Sequence, residues 1–183
     1  DPVRDLSGRI NLAVSKDLEL KGGKLDRMNE PDAQTKLLLE QLGSSGAPAL
    51  SELPIAGIRE MLCEMDRSLG IAHVDVHRSE DMSVSVQGGE CTVRIYWPRA
   101  TGSDELLPVL ILYHGGGFIA GDINSHDGIA RYFCQHADVI VVNVGYRLAP
   151  EHKFPCAAED CYAALCWVAE NASDWGGDNK RIA

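Results

Sequence analysis

Between Leu112 and Asp122 the chain reads Leu-Tyr-His-Gly-Gly-Gly-Phe-Ile-Ala-Gly-Asp, which places His114, Gly115, Gly116 and Gly117 directly behind an apolar run. Successive glycines cost backbone entropy, and the usual compensation is a close approach of backbone to another group. Three readings compete for such a loop. A plain flexible turn needs only two residues. A dinucleotide loop is spelled by Gly115-x-Gly117-x-x-Ala120, but that motif must open a helix at once and be followed by an acidic ribose ligand at the end of the next strand. Here Gly121-Asp122-Ile123-Asn124 delays the helix, while Asp138 precedes the next strand and Gly145-Tyr146 follows it. The third reading is an oxyanion hole, in which backbone N–H groups free of obstructing side chains hold the negative charge that acyl transfer puts on a carbonyl oxygen. The flanking residues leave that reading standing.

Other nucleophiles and ligands fare worse. Acyl transfer of this kind uses a serine in Gly-x-Ser-x-Gly, set between a strand and a helix. No such pentapeptide occurs, and the nearest, Gly43-Ser44-Ser45-Gly46-Ala47, lacks the second glycine in register and follows a helix, so Ser45 is not expected to be a nucleophile. Ser125 and His126 are sequence neighbours, and Ser125 reads as a helix cap. The six cysteines, at 63, 91, 134, 156, 161 and 166, form no Cys-x-x-Cys and no pairing with His at zinc spacing. Cys156, Cys161 and Cys166 turn by about 140° from one to the next on a helix, so they cannot converge on one metal. They read as small apolar residues of a reducing cytoplasm.

Local patterns supply the elements that must hold the loop. A helix is expected from Pro31, with Leu37, Leu38, Leu39 and Leu42 on one side, and Gly43 to Pro48 breaks it. A second runs from about Leu53 to Leu69, with Ser51 as cap and Gly70 as stop. Val74–Val76, Met82–Val86 and Cys91–Trp97 alternate with period two and read as a β-meander with one wet face. Leu106–Leu112 and Val139–Val144 are nearly continuous apolar runs, as expected of strands covered on both faces. Ile129–Ala137 reads as a helix, as does Ala157–Asn171 with Leu165 and Val168 inward, and a strand beginning at Arg181 is expected beside the apolar pair. Antiparallel strands followed by β-α-β-α-β are an α/β pattern.

Composition bounds the partners. The 183 residues carry 17 Lys plus Arg against 27 Asp plus Glu, a net charge of −10, which disfavours nucleic acid and anionic membrane. No apolar run approaches the roughly 18 residues of a membrane helix. Residues 1–30 hold 12 charged side chains and little periodicity, so they read as an extension or leader; 31–70 read as a helical lid, and 71–183 as an α/β core.

Several pieces in order resemble the α/β-hydrolase fold, and within it the hormone-sensitive-lipase-like (bacterial family IV) carboxylesterases. They are Pro108 through Phe118, Gly121-Asp122, Ser125-His126-Asp127, the specific tract Asn143 to Asp160, and Trp175-Gly-Gly-Asp178. The resemblance spans about residues 31 to 183. It implies a serine esterase acting through an acyl-enzyme on short- to medium-chain esters, without metal or cofactor. Gly116 and Gly117 would be the oxyanion donors, Gly115 and His114 would support the loop, Phe118 would contact substrate, and His152 would be structural. The serine, acid and base would follow beyond Ala183, so the expected partners are a small ester and the C-terminal part of the same hydrolase, in the cytoplasm, with a homodimer left open. The alternative is a non-catalytic small-molecule binder on this scaffold, like the related plant hormone receptors.

Overall fold

The structure, a computed structural model, describes residues 31–44, 52–69, 73–100 and 105–183. The chain divides into two units, Asp1–Pro48 and Ala49–Ala183. In the first, helix α1 spans Ala33–Ser44. It starts two residues after the expected Pro31, because the Asp32 carboxylate accepts the amides of Gln34 and Thr35, each at 2.9 Å, satisfying donors that the helix itself leaves free. Leu37 and Leu39 are exposed. The reading of residues 1–30, and Ser51 and Gly70, lie outside the described residues.

The second unit opens with α2, Ile55–Leu69. Its positions Ile55, Ile58, Met61 and Leu62 are half-buried while Ala56, Glu60 and Glu64 are exposed, the amphipathic division that the three-and-four spacing dictates. Strands β1 (Arg78–Val86), β2 (Gly89–Trp97), β3 (Leu107–Tyr113), β4 (Ile140–Gly145) and β5 (Gly177–Ile182) form one sheet in the order β1-β2-β4-β3-β5. β1–β2 and β2–β4 are antiparallel; β3–β4 and β3–β5 are parallel. Helix α3, Asp127–Ala137, separates β3 from β4, and α4, Cys156–Asn171, followed by a 3₁₀ turn at Ala172–Trp175, leads to β5.

Both faces of the sheet are covered. On one, Val93, Ile95, Val109 and Val142 pack with Ala157, Ala164 and Val168 of α4. On the other, Tyr96 and Val141 pack with Ala130 and Cys134 of α3, flanked by Leu110 and Leu112. That double cover is why β3 and β4 read as unbroken apolar runs.

Four expectations are corrected. Val74–Val76 is not a strand; the expected meander is the single hairpin β1–β2, closed by Gln87-Gly88 with Gly88 at φ 76°. β5 begins at Gly177 rather than Arg181, and its register with β3 slips between Leu107 and Val109. Leu165 is 39% exposed, and the inward face of α4 is Ala157, Asp160, Ala164 and Val168. Ser125 does not cap α3: the cap position is His126, with no side-chain cap bond.

Candidate active site

β3 ends at Tyr113 and hands the chain to the glycine loop. Gly116, Gly117 and Phe118 have φ of 129°, 62° and 63°, a run of left-handed backbone that glycine tolerates and most residues do not. A Cβ on Gly116 would run into the Ala120 carbonyl, and one on Gly121 into the Gly115 carbonyl and the His114 ring. The loop is folded tightly on itself at these two points. Gly117 differs, since a Cβ there meets nothing within 4 Å. The Gly116 carbonyl closes the turn by accepting from Ile119 N at 3.2 Å and Ala120 N at 3.1 Å, and Ala149 N donates to the Phe118 carbonyl at 2.9 Å.

Those bonds decide which amides remain. Gly115 N–H donates to His126 Nε2 at 3.2 Å. Among the described residues nothing accepts from the N–H of Gly116, Gly117 or Phe118. Gly117 and Phe118 are exposed and Gly116 is half-buried, so these donors are open to solvent or a ligand instead of being committed within the loop. They are what an oxyanion would need.

His114 underlies the loop. It is 4% exposed, its ring stacks on Tyr146 with centroids 4.1 Å apart, and its Nδ1 lies 2.9 Å from the Gly115 carbonyl. Burial lowers its pKa from the ordinary 6.5, so the ring is neutral at pH 7, with Nδ1–H donating to that carbonyl. Its Nε2 is buried without a partner among the described residues. Tyr146 O–H donates to the His114 carbonyl at 2.6 Å.

Ser125 and His126 lie 3.0 Å apart, a separation that invites comparison with a nucleophile and its base. The bonding runs the wrong way. His126 Nε2 accepts from Gly115, so the proton sits on Nδ1 and is donated to Ser125 Oγ. That hydroxyl in turn donates to the Asp122 carbonyl and accepts from Asp122 N, both at 2.9 Å. Ser125 therefore braces the Asp122 turn, and His126 has no free lone pair with which to activate it.

Beside the loop lies a cavity of about 770 Å³ whose wall includes Gly115, Gly116, Gly121, His126, Tyr146 and, from α2, Arg59 and Leu62. The tract Tyr146–Pro155 forms its other side, fixed by Arg147 on the fully buried Asp160. Arg147 Nη2 and Nε reach the carboxylate at 2.7 and 2.8 Å, and its main-chain N donates at 3.0 Å. Burial opposes ionisation of Asp160, but these donors prevail and hold its pKa below the ordinary value. No group of three or more His, Cys, Asp or Glu among the described residues could hold a metal ion.

Comparison with known proteins places the fold. The family described as alpha/beta hydrolase fold matches residues 110–183. Esterase LipI of Mycobacterium tuberculosis is 42% identical over 129 residues, 70% of this chain and 39% of LipI. Carboxylesterase NlhH of the same organism is 47% identical over 107 residues, 58% of this chain and 33% of NlhH. The hyperthermophilic esterase of Pyrobaculum calidifontis superimposes with a TM-score of 0.75 at 37% identity, over 82% of this chain and 47% of that one. The chain belongs to the α/β-hydrolase superfamily, in its hormone-sensitive-lipase-like branch. It spans less than half the length of these relatives.

Of the residues expected to matter, His114 to Phe118 are consecutive in the loop; Gly115 and Gly116 line the cavity, whereas His114, Gly117 and the 61% exposed Phe118 are not part of its wall. His152 lines the cavity within the turn after β4. Sequence reasoning missed Arg59 and gave Tyr146 no role. Tyr146 stood within the recognised tract, but nothing in a sequence identifies a main-chain carbonyl as its partner. No helix among the described residues is long and apolar enough to cross a membrane.

Proposed function

We propose that this chain contributes the oxyanion hole of a serine carboxylesterase, with Gly116 and Gly117 N–H as donors. The observation that carries the reading is that these adjacent amides, with that of Phe118, have no acceptor among the described residues while those of Gly115, Ile119 and Ala120 are bonded, and that Gly116 lines the cavity. A serine supplied by residues outside this chain attacks an ester carbonyl. The two amides stabilise the tetrahedral oxyanion, the alcohol departs, and water hydrolyses the acyl-enzyme. His114 and Gly115 set the loop, Phe118 contacts substrate from the exposed rim of the loop, outside the cavity wall, and the substrate is a short- to medium-chain ester. The six free thiols fit a reducing compartment, and we assign the protein to the cytoplasm.

The test is hydrolysis of short-chain p-nitrophenyl esters by the intact protein, together with covalent labelling by a fluorophosphonate. Turnover and stoichiometric labelling are expected. Ester binding without turnover or labelling would overturn the reading in favour of a small-molecule binder on the same scaffold.

A further inference from the structure

Among the described residues, Arg59 on α2 is the arginine that bonds to the glycine loop. Its Nε donates to the Ile119 carbonyl at 2.7 Å, and its Nη2 donates to the Ala149 carbonyl at 3.1 Å. Nη1 and Nη2 also grip both oxygens of Glu151, at 2.9 and 2.7 Å. One guanidinium thus ties together three segments: α2, the loop, and the turn after β4. The loop and the turn after β4 meet again where Ala149 N donates to the Phe118 carbonyl. Ile119 is the next residue, and its own N–H closes the turn onto Gly116.

We propose that Arg59 is a positioning residue for the oxyanion hole, clamping the loop through the Ile119 carbonyl so that the Gly116 and Gly117 amides stay fixed; this rests on the esterase reading above. The fork geometry is essential to the role. A planar guanidinium fills two carbonyls and a bidentate carboxylate at once, whereas an ammonium is a single point charge on a flexible stem. Glu151 keeps the fork oriented. Its pKa is pulled down to about 2, chiefly by the hydrogen bond from Arg59, so the pair is ionised throughout the pH range of an esterase assay.

The experiment compares Arg59→Lys, Arg59→Met and Glu151→Gln with the wild-type intact protein. It reads kcat and KM on a short-chain p-nitrophenyl ester, and amide hydrogen exchange at Ile119 and Ala120. Loss of loop alignment predicts that kcat falls by roughly 10-fold to 10²-fold in both Arg59 variants, with KM little changed. Exchange at the two amides should quicken in both, and by less in Glu151→Gln. Because lysine keeps the charge, failure of Arg59→Lys to rescue separates positioning from simple charge pairing. Wild-type kcat and wild-type exchange in Arg59→Lys would overturn the inference. If the wild-type protein hydrolyses no ester, the esterase reading fails, and unchanged or quickened exchange still decides whether Arg59 holds the loop. Should Arg59→Met fail to fold, Arg59→Lys and Glu151→Gln carry the same comparison.

Discussion

Tyr146 donates its phenolic hydrogen to the His114 carbonyl at 2.6 Å while its ring lies against the His114 imidazole at 4.1 Å. The end of β4 thereby holds the first residue after β3, on the neighbouring parallel strand, by both an edge and a face. The glycine loop departs from that fixed point. Removing the hydroxyl with Tyr146→Phe leaves the stack and deletes the bond, so unfolding free energy should fall by about 1 kcal/mol in urea titration. Unchanged stability would mean that the bond contributes nothing net.

His114 gives the fold a pH dependence of known sign. Its folded pKa lies below the ordinary 6.5 because burial disfavours the charged ring. The unfolded chain therefore binds the proton first, and stability should decline as pH falls below about 6.5 until the folded pKa is passed. His114→Gln should flatten the stability profile across that window. A profile as steep as that of the wild-type protein would assign the slope to another group.

Arg147 and Asp160 predict opposite pH slopes in two proteins. In the wild type the folded pKa of Asp160 is depressed, so its contribution is present above the ordinary 3.8 and lost as pH falls through the folded value. Arg147→Met leaves a buried carboxylate with its guanidinium partner removed and should cost about 3 kcal/mol at neutral pH. Burial then raises the Asp160 pKa, and acidification should restore part of the lost stability. Thermal melts of both proteins from neutral to mildly acidic pH measure this. A variant that shows no relative recovery on acidification would contradict the assignment.

The contrast between what the sequence disclosed and what it hid follows sequence separation. The loop, β3, β4 and α3 were legible because each is specified by residues within a few positions of one another. Arg59 was not, because its carbonyl partners lie 60 and 90 residues away and any residue type presents a carbonyl. Leu165 was misplaced because α4, Ala-rich with apolar residues around much of its circumference, carries little periodic signal to orient it. β5 was started late because Gly-Asp-Asn-Lys has poor strand propensity. Its opening glycine is instead required by space, since a Cβ there would lie 2.7 Å from the Trp175 ring and 2.8 Å from Val109. Ser125 has the residue type of a helix cap, but its hydroxyl is committed to the Asp122 turn.

Whether the Gly116 and Gly117 amides are catalytic donors is best tested by deleting each N–H alone. Proline cannot serve, because its φ is fixed near −65° while these residues sit at 129° and 62°. Replacing either glycine with glycolic acid exchanges the amide N–H for an ester oxygen and adds no side chain. Each replacement in the intact protein should lower kcat on a short-chain p-nitrophenyl ester by roughly 10² to 10³-fold, with KM changing far less. Wild-type kcat in both replaced proteins would contradict the oxyanion assignment.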